Sequence, residues 1–245
     1  MNTGASSEER AIALERHCAE ANRCELCPQL VASRSQVVFG SGNADAQLMF
    51  VGEAPGASED RDGVPFVGAS GKLLGDLLAA IGTTRDEVYI ANVLKCRPPE
   101  NRDPRSDEIA NCAQFLLAQV ELVEPVVVVT LGNFATKLLR EDDDGITAIH
   151  GQAELRSFGR RTVWLYPVFH PAAALYRRPN LELLREDFAR LPQMLADGPP
   201  KQGDIESPTR SGAAPTGSVA EATVPDAAVA MAESQPDVAP QLDLF

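Results

Sequence analysis

Residues 125–131 read PVVVVTL, and five of the seven are β-branched without interruption. Such a run has no polar face to turn to water, so it suits a strand covered on both sides of a sheet. Covering both faces takes two further layers, and helices supply them when the strands run parallel. The rest of the chain carries the matching pattern. Apolar strands are expected at residues 47–51, 88–94 and 162–169, and helices at residues 7–21, 70–80, 107–120, 134–139 and 181–195. Ser6 or Ser7 serves as N-cap for the first helix and Ser106 for the third. Strands alternating with helices predict a three-layer α/β/α sandwich with a mainly parallel central sheet.

With 245 residues the chain has enough length for one domain with a substantial core plus an appendage. The core domain is expected over residues 1–197. Residues 198–240 are rich in Ala, Pro, Ser, Thr and acids and contain no aromatic residue. Such a segment cannot bury enough apolar surface to offset ordering entropy, so a disordered acidic linker is expected. Residues 201–245 hold two basic and seven acidic side chains, a net −5 of the total −13. Taken whole, that charge disfavours a non-specific nucleic-acid binder. No apolar run reaches the ~18 residues of a membrane span. The opening MNTGASSEER also lacks the charged and apolar regions of a signal peptide. A soluble, cytoplasmic protein is expected.

The strand at residues 47–51 runs directly into GEAPG, residues 52–56. In open α/β sheets ligands bind at that rim, although the same glycines also suit a plain tight turn. The cysteines carry a stronger signal. Cys24 and Cys27 form a CxxC pair, Cys96 follows the strand at residues 88–94, and Cys112 lies in the next helix. In a cytosolic chain this set points to metal or redox chemistry rather than to a disulfide. A thioredoxin-like dithiol would lie between a strand and a helix, whereas Cys24 comes after a helix. Four thiolates suit zinc or an iron–sulfur cluster, and spacing alone leaves both open. Cys18 has no place in the set and is read as a packed or free thiol.

Six stretches in order, CELCPQLVASR, VGEAPGASED, PFVGASGKLL, NVLKCRPPENRDP, the later Cys112 and VFHPAAAL, resemble the family 4 uracil-DNA glycosylases. The match covers roughly residues 18–195. The resemblance implies the same α/β/α fold, excision of uracil from DNA, and a [4Fe–4S] cluster on Cys24, Cys27, Cys96 and Cys112. By the same resemblance the cluster ties the N-terminal segment to the loop carrying Arg97, Arg102 and Arg105, a local basic patch able to hold DNA phosphates. The resemblance also implies a pocket in which Phe66 stacks on the flipped-out base. Asn92 offers one acceptor and one donor to uracil N3–H and O4, and cytosine presents these in reverse. His170 stands between a strand and Pro171, a favoured first helical residue, where it can donate to uracil O2 as charge builds up. Backbone amides of Gly52 and Ala54 face the base. Ala54 occupies the place where better-known uracil glycosylases carry a water-positioning aspartate, so Glu53 and Glu59 are both candidates for that role.

A related group that traps the sugar covalently through a histidine after the Asn strand is disfavoured, because no histidine occurs between Asn92 and Cys112. Two other classes stay open: an iron–sulfur electron carrier, and a non-catalytic uracil- or nucleic-acid-binding module. The last five residues, QLDLF, Gln241 to Phe245, resemble the peptide by which bacterial repair proteins dock on the DNA polymerase sliding clamp. The chain is expected to act as a monomer on uracil-containing DNA.

Overall fold

The computed structural model describes residues 5–202. In chain order the elements are α1 (Ser7–Asn22), α2 (Pro28–Ser33), β1 (Ser41–Gly42), β2 (Leu48–Gly52), α3 (Ala57–Asp62), α4 (Ala69–Ala80), β3 (Tyr89–Asn92), α5 (Ser106–Val123), β4 (Val127–Leu131) and α6 (Asn133–Arg140). After them come α7 (Ile146–Ile149), β5 (Glu154–Phe158), β6 (Arg161–Val168), α8 (Pro171–Tyr176), α9 (Arg178–Ala189) and α10 (Leu191–Ala196). The strands form one sheet in the order β1-β3-β2-β4-β6-β5. Its four central strands run parallel, and β1 and β5 close the edges antiparallel.

Every residue of β4 is buried, as its β-branched run requires. Side chains alternate between two helical layers. Met49, Val51 and Val128 pack with Leu14 of α1, Leu116 of α5 and Leu139 of α6. Leu48, Phe50, Val127 and Val129 pack with Leu74 of α4, Phe188 of α9 and Leu191 of α10. The fold is the expected three-layer sandwich. Among the described residues no helix is long and apolar enough to cross a membrane.

Local chemistry sets the element ends. Ser6 starts α1 with reciprocal bonds: its hydroxyl accepts from Glu9 N at 3.2 Å, and its own N–H donates to the Glu9 carboxylate at 2.7 Å. The helix expected at residues 181–195 is two helices, because Pro192 cannot donate an N–H to a continuing turn and the chain restarts at Leu191. Strand β5 was not foreseen. Four of its five residues are half-buried, so an edge strand with this sequence carries no apolar signature. The described residues continue past the expected boundary at residue 197. Pro200 is buried, and the Gln202 amide accepts from Thr162 N and donates to Thr162 O. Most of the linker and the QLDLF peptide lie outside the described residues.

This topology places the site. The chain moves from β2 to β3 on one side and returns to β4 on the other, so β2 is the switch point of the sheet. The ends of β2 and β3 lie side by side, with Gly52 in register with Asn92. His170 follows the C-terminal end of β6 on the same rim.

Candidate active site

At this rim a cleft of about 330 Å³ is lined by Glu53, Ala54, Glu59, Phe66, Asn92 and His170, together with Gly56, Ser70, Asn101 and Ala172. The residues singled out from the sequence therefore meet in one place. Gly52 lies directly behind them: a Cβ there would come within 2.5 Å of Asn92 Oδ1 and 2.6 Å of Phe66 Cζ, so only glycine lets these two side chains approach.

Asn92 is 2% exposed, and its Oδ1 is buried without a hydrogen-bond partner among the described residues. An orphaned acceptor costs about 1–3 kcal/mol, which a ligand N–H would recover. His170 is the N-cap of α8, and its Nδ1 accepts from Ala172 N at 3.1 Å. That contact fixes the neutral tautomer with the proton on Nε2, leaving Nε2–H as the donor for the cleft. Burial lowers the His170 pKa to about 4, so the ring is uncharged at neutral pH.

Phe66 is buried with φ at 55°, an uncommon conformation for a side chain of this size. Its neighbours hold it there. Arg85 donates to the Phe66 carbonyl at 2.8 Å and to the Pro65 carbonyl at 2.6 Å. Glu59 Oε1 accepts from Val67 N and Gly68 N, both at 2.9 Å, and its Oε2 accepts from Gly56 N at 3.1 Å. The ring stacks on His170 with centroids 5.7 Å apart. Strain maintained by this many contacts is characteristic of a functional position.

The two acidic candidates thus differ in environment. Glu59 is a brace whose oxygens are occupied by three backbone N–H groups. Glu53 meets no such donor among the described residues, and burial, with nearby Asp103 as the lesser cause, holds its carboxyl at about 7.

Comparison with known proteins gives the family. A family model described as the uracil DNA glycosylase superfamily matches residues 39–192. The chain belongs to that superfamily. A type-4 uracil-DNA glycosylase of Sulfurisphaera tokodaii is 43% identical over 187 residues, covering 74% of this chain and 84% of that protein. One of Thermotoga maritima is 44% identical over 159 residues, covering 64% and 81%. A type-5 uracil-DNA glycosylase of Pyrobaculum aerophilum is 32% identical over 179 residues, covering 61% and 78%.

This member of the uracil-DNA glycosylase superfamily has a second cavity, lined by Cys24, Cys27, Cys96 and Cys112 with Arg34, Lys95 and Asn111 among their neighbours. Cys27 is brought there as the N-cap of α2, and Cys112 by α5. Arg34 donates to Cys96 Sγ at 3.1 Å, and Lys95 N to Cys112 Sγ at 3.3 Å. Burial raises the pKa of Cys27 and Cys96 and pushes Cys112 up to about 11, opposite to an activated nucleophile. Among the described residues no three His, Cys, Asp or Glu side chains are grouped to hold a metal ion.

The expected phosphate-binding patch is altered. Arg102 pairs with buried Glu108 at 2.5 and 2.9 Å, Arg105 donates to Gln29, and Arg97 donates to Asn101. Arg102 is therefore a strut of the loop rather than a free cation. Sequence reasoning missed Arg85, Ser70, Asn101 and Ala172. Arg85 had no signal, since its role depends on carbonyls about twenty positions away that only folding brings near.

Proposed function

We propose that this member of the uracil-DNA glycosylase superfamily excises uracil from DNA through the β2–β3–β6 rim. The observation that carries the assignment is the unpartnered, buried Oδ1 of Asn92 at the base of a cleft shared with Phe66 and His170. Uracil N3–H supplies the missing donor, while Asn92 Nδ2 donates to O4. Cytosine, with an acceptor at N3 and a donor at C4, meets both groups with the wrong polarity. Phe66 gives the flat base a surface to stack on, with backbone amides of Gly52 and Ala54 at its edge. As the glycosidic bond breaks, the electron pair moves into the base, and the neutral His170 donates from Nε2 to O2, where negative charge collects. Glu53 faces the sugar side of the cleft as the carboxylate that orients water and offsets the positive charge of an oxocarbenium-like sugar. Glu59 acts as a positioning residue for the Phe66 loop.

A [4Fe–4S] cluster on Cys24, Cys27, Cys96 and Cys112 is part of this reading. The four sulfurs line one cavity, and N–H donors reach three of them, Cys27, Cys96 and Cys112, as thiolate ligands require; the resemblance to the family 4 enzymes favours a cluster over zinc. Bound there, the cluster would supply a cross-link between the N-terminal segment, the loop after β3 and α5. The protein works in the cytoplasm, and its C-terminal Gln241–Phe245 peptide docks on the sliding clamp, a reading supported by the sequence alone.

The deciding experiment is single-turnover release of base from matched oligonucleotides containing uracil, thymine or cytosine. Release from uracil alone is expected, with His170→Ala lowering the rate more than DNA affinity because its bond strengthens as charge develops. No uracil release by iron-replete protein would overturn the assignment. Deleting residues 241–245 should abolish clamp binding in a titration and leave release from short oligonucleotides unchanged.

A further inference from the structure

One buried cation has no part in that chemistry. Lys95 is 1% exposed, and its ammonium donates to the Asn92 carbonyl at 2.8 Å and to Gln119 Oε1 at 2.6 Å. Gln119 is fixed in turn, donating from Nε2 to the Phe39 carbonyl at 2.9 Å and to the Tyr89 hydroxyl at 3.0 Å. Both partners of the ammonium are neutral. A buried ammonium is strongly unfavourable unless opposite charge lies nearby.

The groups placed to supply that charge are sulfurs. The backbone N–H of Lys95, not its ammonium, donates to Cys112 Sγ at 3.3 Å; Cys96 is the next residue, Lys95 lines the cysteine cavity, and once ionised the two sulfurs favour the charged ammonium. At its other end the side chain holds the backbone of the residue whose amide faces the cleft. Packing alone would be met by methionine, which has similar length and no charge.

Resting on the uracil and iron–sulfur reading above, we infer that Lys95 is a positioning residue joining the cysteine cavity to Asn92. Its charge offsets the ligated thiolates of Cys96 and Cys112, and its N–H holds the Asn92 carbonyl so that the side-chain amide stays in register with uracil. Cofactor retention and base recognition thereby share one side chain.

The two halves separate in two variants, Lys95→Met and Lys95→Arg, purified anaerobically with the wild type. Iron-to-protein ratio and visible cluster absorption are followed during a chelator challenge. Uracil affinity is measured by titrating free uracil into the complex with abasic-site DNA. Lys95→Met should lose iron faster than wild type and bind uracil roughly tenfold more weakly, the effect of losing one hydrogen bond to a charged donor. Lys95→Arg keeps the charge and should retain iron. Its planar fork does not reproduce a single N–H on the Asn92 carbonyl, so uracil binding should still weaken about tenfold.

Wild-type iron retention by Lys95→Met would overturn the charge role, and wild-type uracil affinity in Lys95→Arg would overturn the positioning role. If Lys95→Met does not fold, Lys95→Arg decides alone, since rapid iron loss from it also refutes the charge role. A wild-type protein that releases no uracil refutes the underlying assignment. An active wild type with both variants unchanged refutes only the role of Lys95.

Discussion

Glu53→Gln probes the acidic side chain of the cleft whose oxygens no backbone N–H occupies. Burial and Asp103 raise its carboxyl from 4.5 to about 7. Between these values the folded protein binds a proton that the unfolded chain has released, so the group's contribution to stability falls as pH rises through the window. The full rise is worth roughly 3 kcal/mol. Solvent screening of a partly exposed carboxylate reduces it to about 1–2 kcal/mol. Glutamine removes this penalty, so Glu53→Gln should be the more stable protein above pH ~7, with the difference vanishing toward pH ~4. Catalysis should move the other way. If the ionised carboxylate orients water, the wild-type single-turnover rate declines as pH falls through about 7, and Glu53→Gln is slow with no such limb. His170, with its pKa near 4, titrates too low to produce that limb. Asp103→Asn removes the repelling charge and should shift the limb to lower pH. The assays are denaturant titrations and quenched-flow uracil release over the same pH range. An unchanged limb at near-wild-type rate in Glu53→Gln would remove Glu53 from the chemistry, and equal stability at high pH would contradict the penalty of burying its charge.

Gly52→Ala places a methyl within 2.5 Å of Asn92 Oδ1, and overpacking of about 1–3 kcal/mol should lower kcat/KM roughly ten- to a hundredfold in a steady-state assay. Glu59→Gln turns an amide donor toward one of the backbone N–H groups it now accepts from; a loss of about 1–3 kcal/mol in a denaturant titration and a raised KM are expected as the Phe66 loop loosens. Arg102→Ala leaves the Glu108 carboxylate with only the Arg105 N–H, so stability should fall in a denaturant titration. The slope of DNA affinity against salt should stay unchanged in that variant, where loss of a phosphate contact would reduce it by about one.

The sequence by itself determined the layers. A β-branched run with no wet face requires cover on both sides, and the spacing of strands and helices around it leaves a mainly parallel sheet as the consistent arrangement. Sequence also marked Gly52 in its glycine-rich loop and Asn92 as a polar residue in an apolar strand, whereas Phe66 and His170 were marked by the resemblance of PFVGASGKLL and VFHPAAAL to the family 4 enzymes. What it could not apportion was the work of the two glutamates. Glu53 and Glu59 lie six positions apart and are chemically alike; tertiary structure alone gives one of them three backbone N–H donors and leaves the other desolvated near Asp103. The same holds for charge. Arg102 reads as a free cation until folding sets Glu108 against it, and only the fold brings Gln119 of α5 to the Lys95 ammonium. Periodicity and composition are local quantities, whereas hydrogen-bond partners and desolvation depend on residues far apart in the chain that meet only once the sheet has formed.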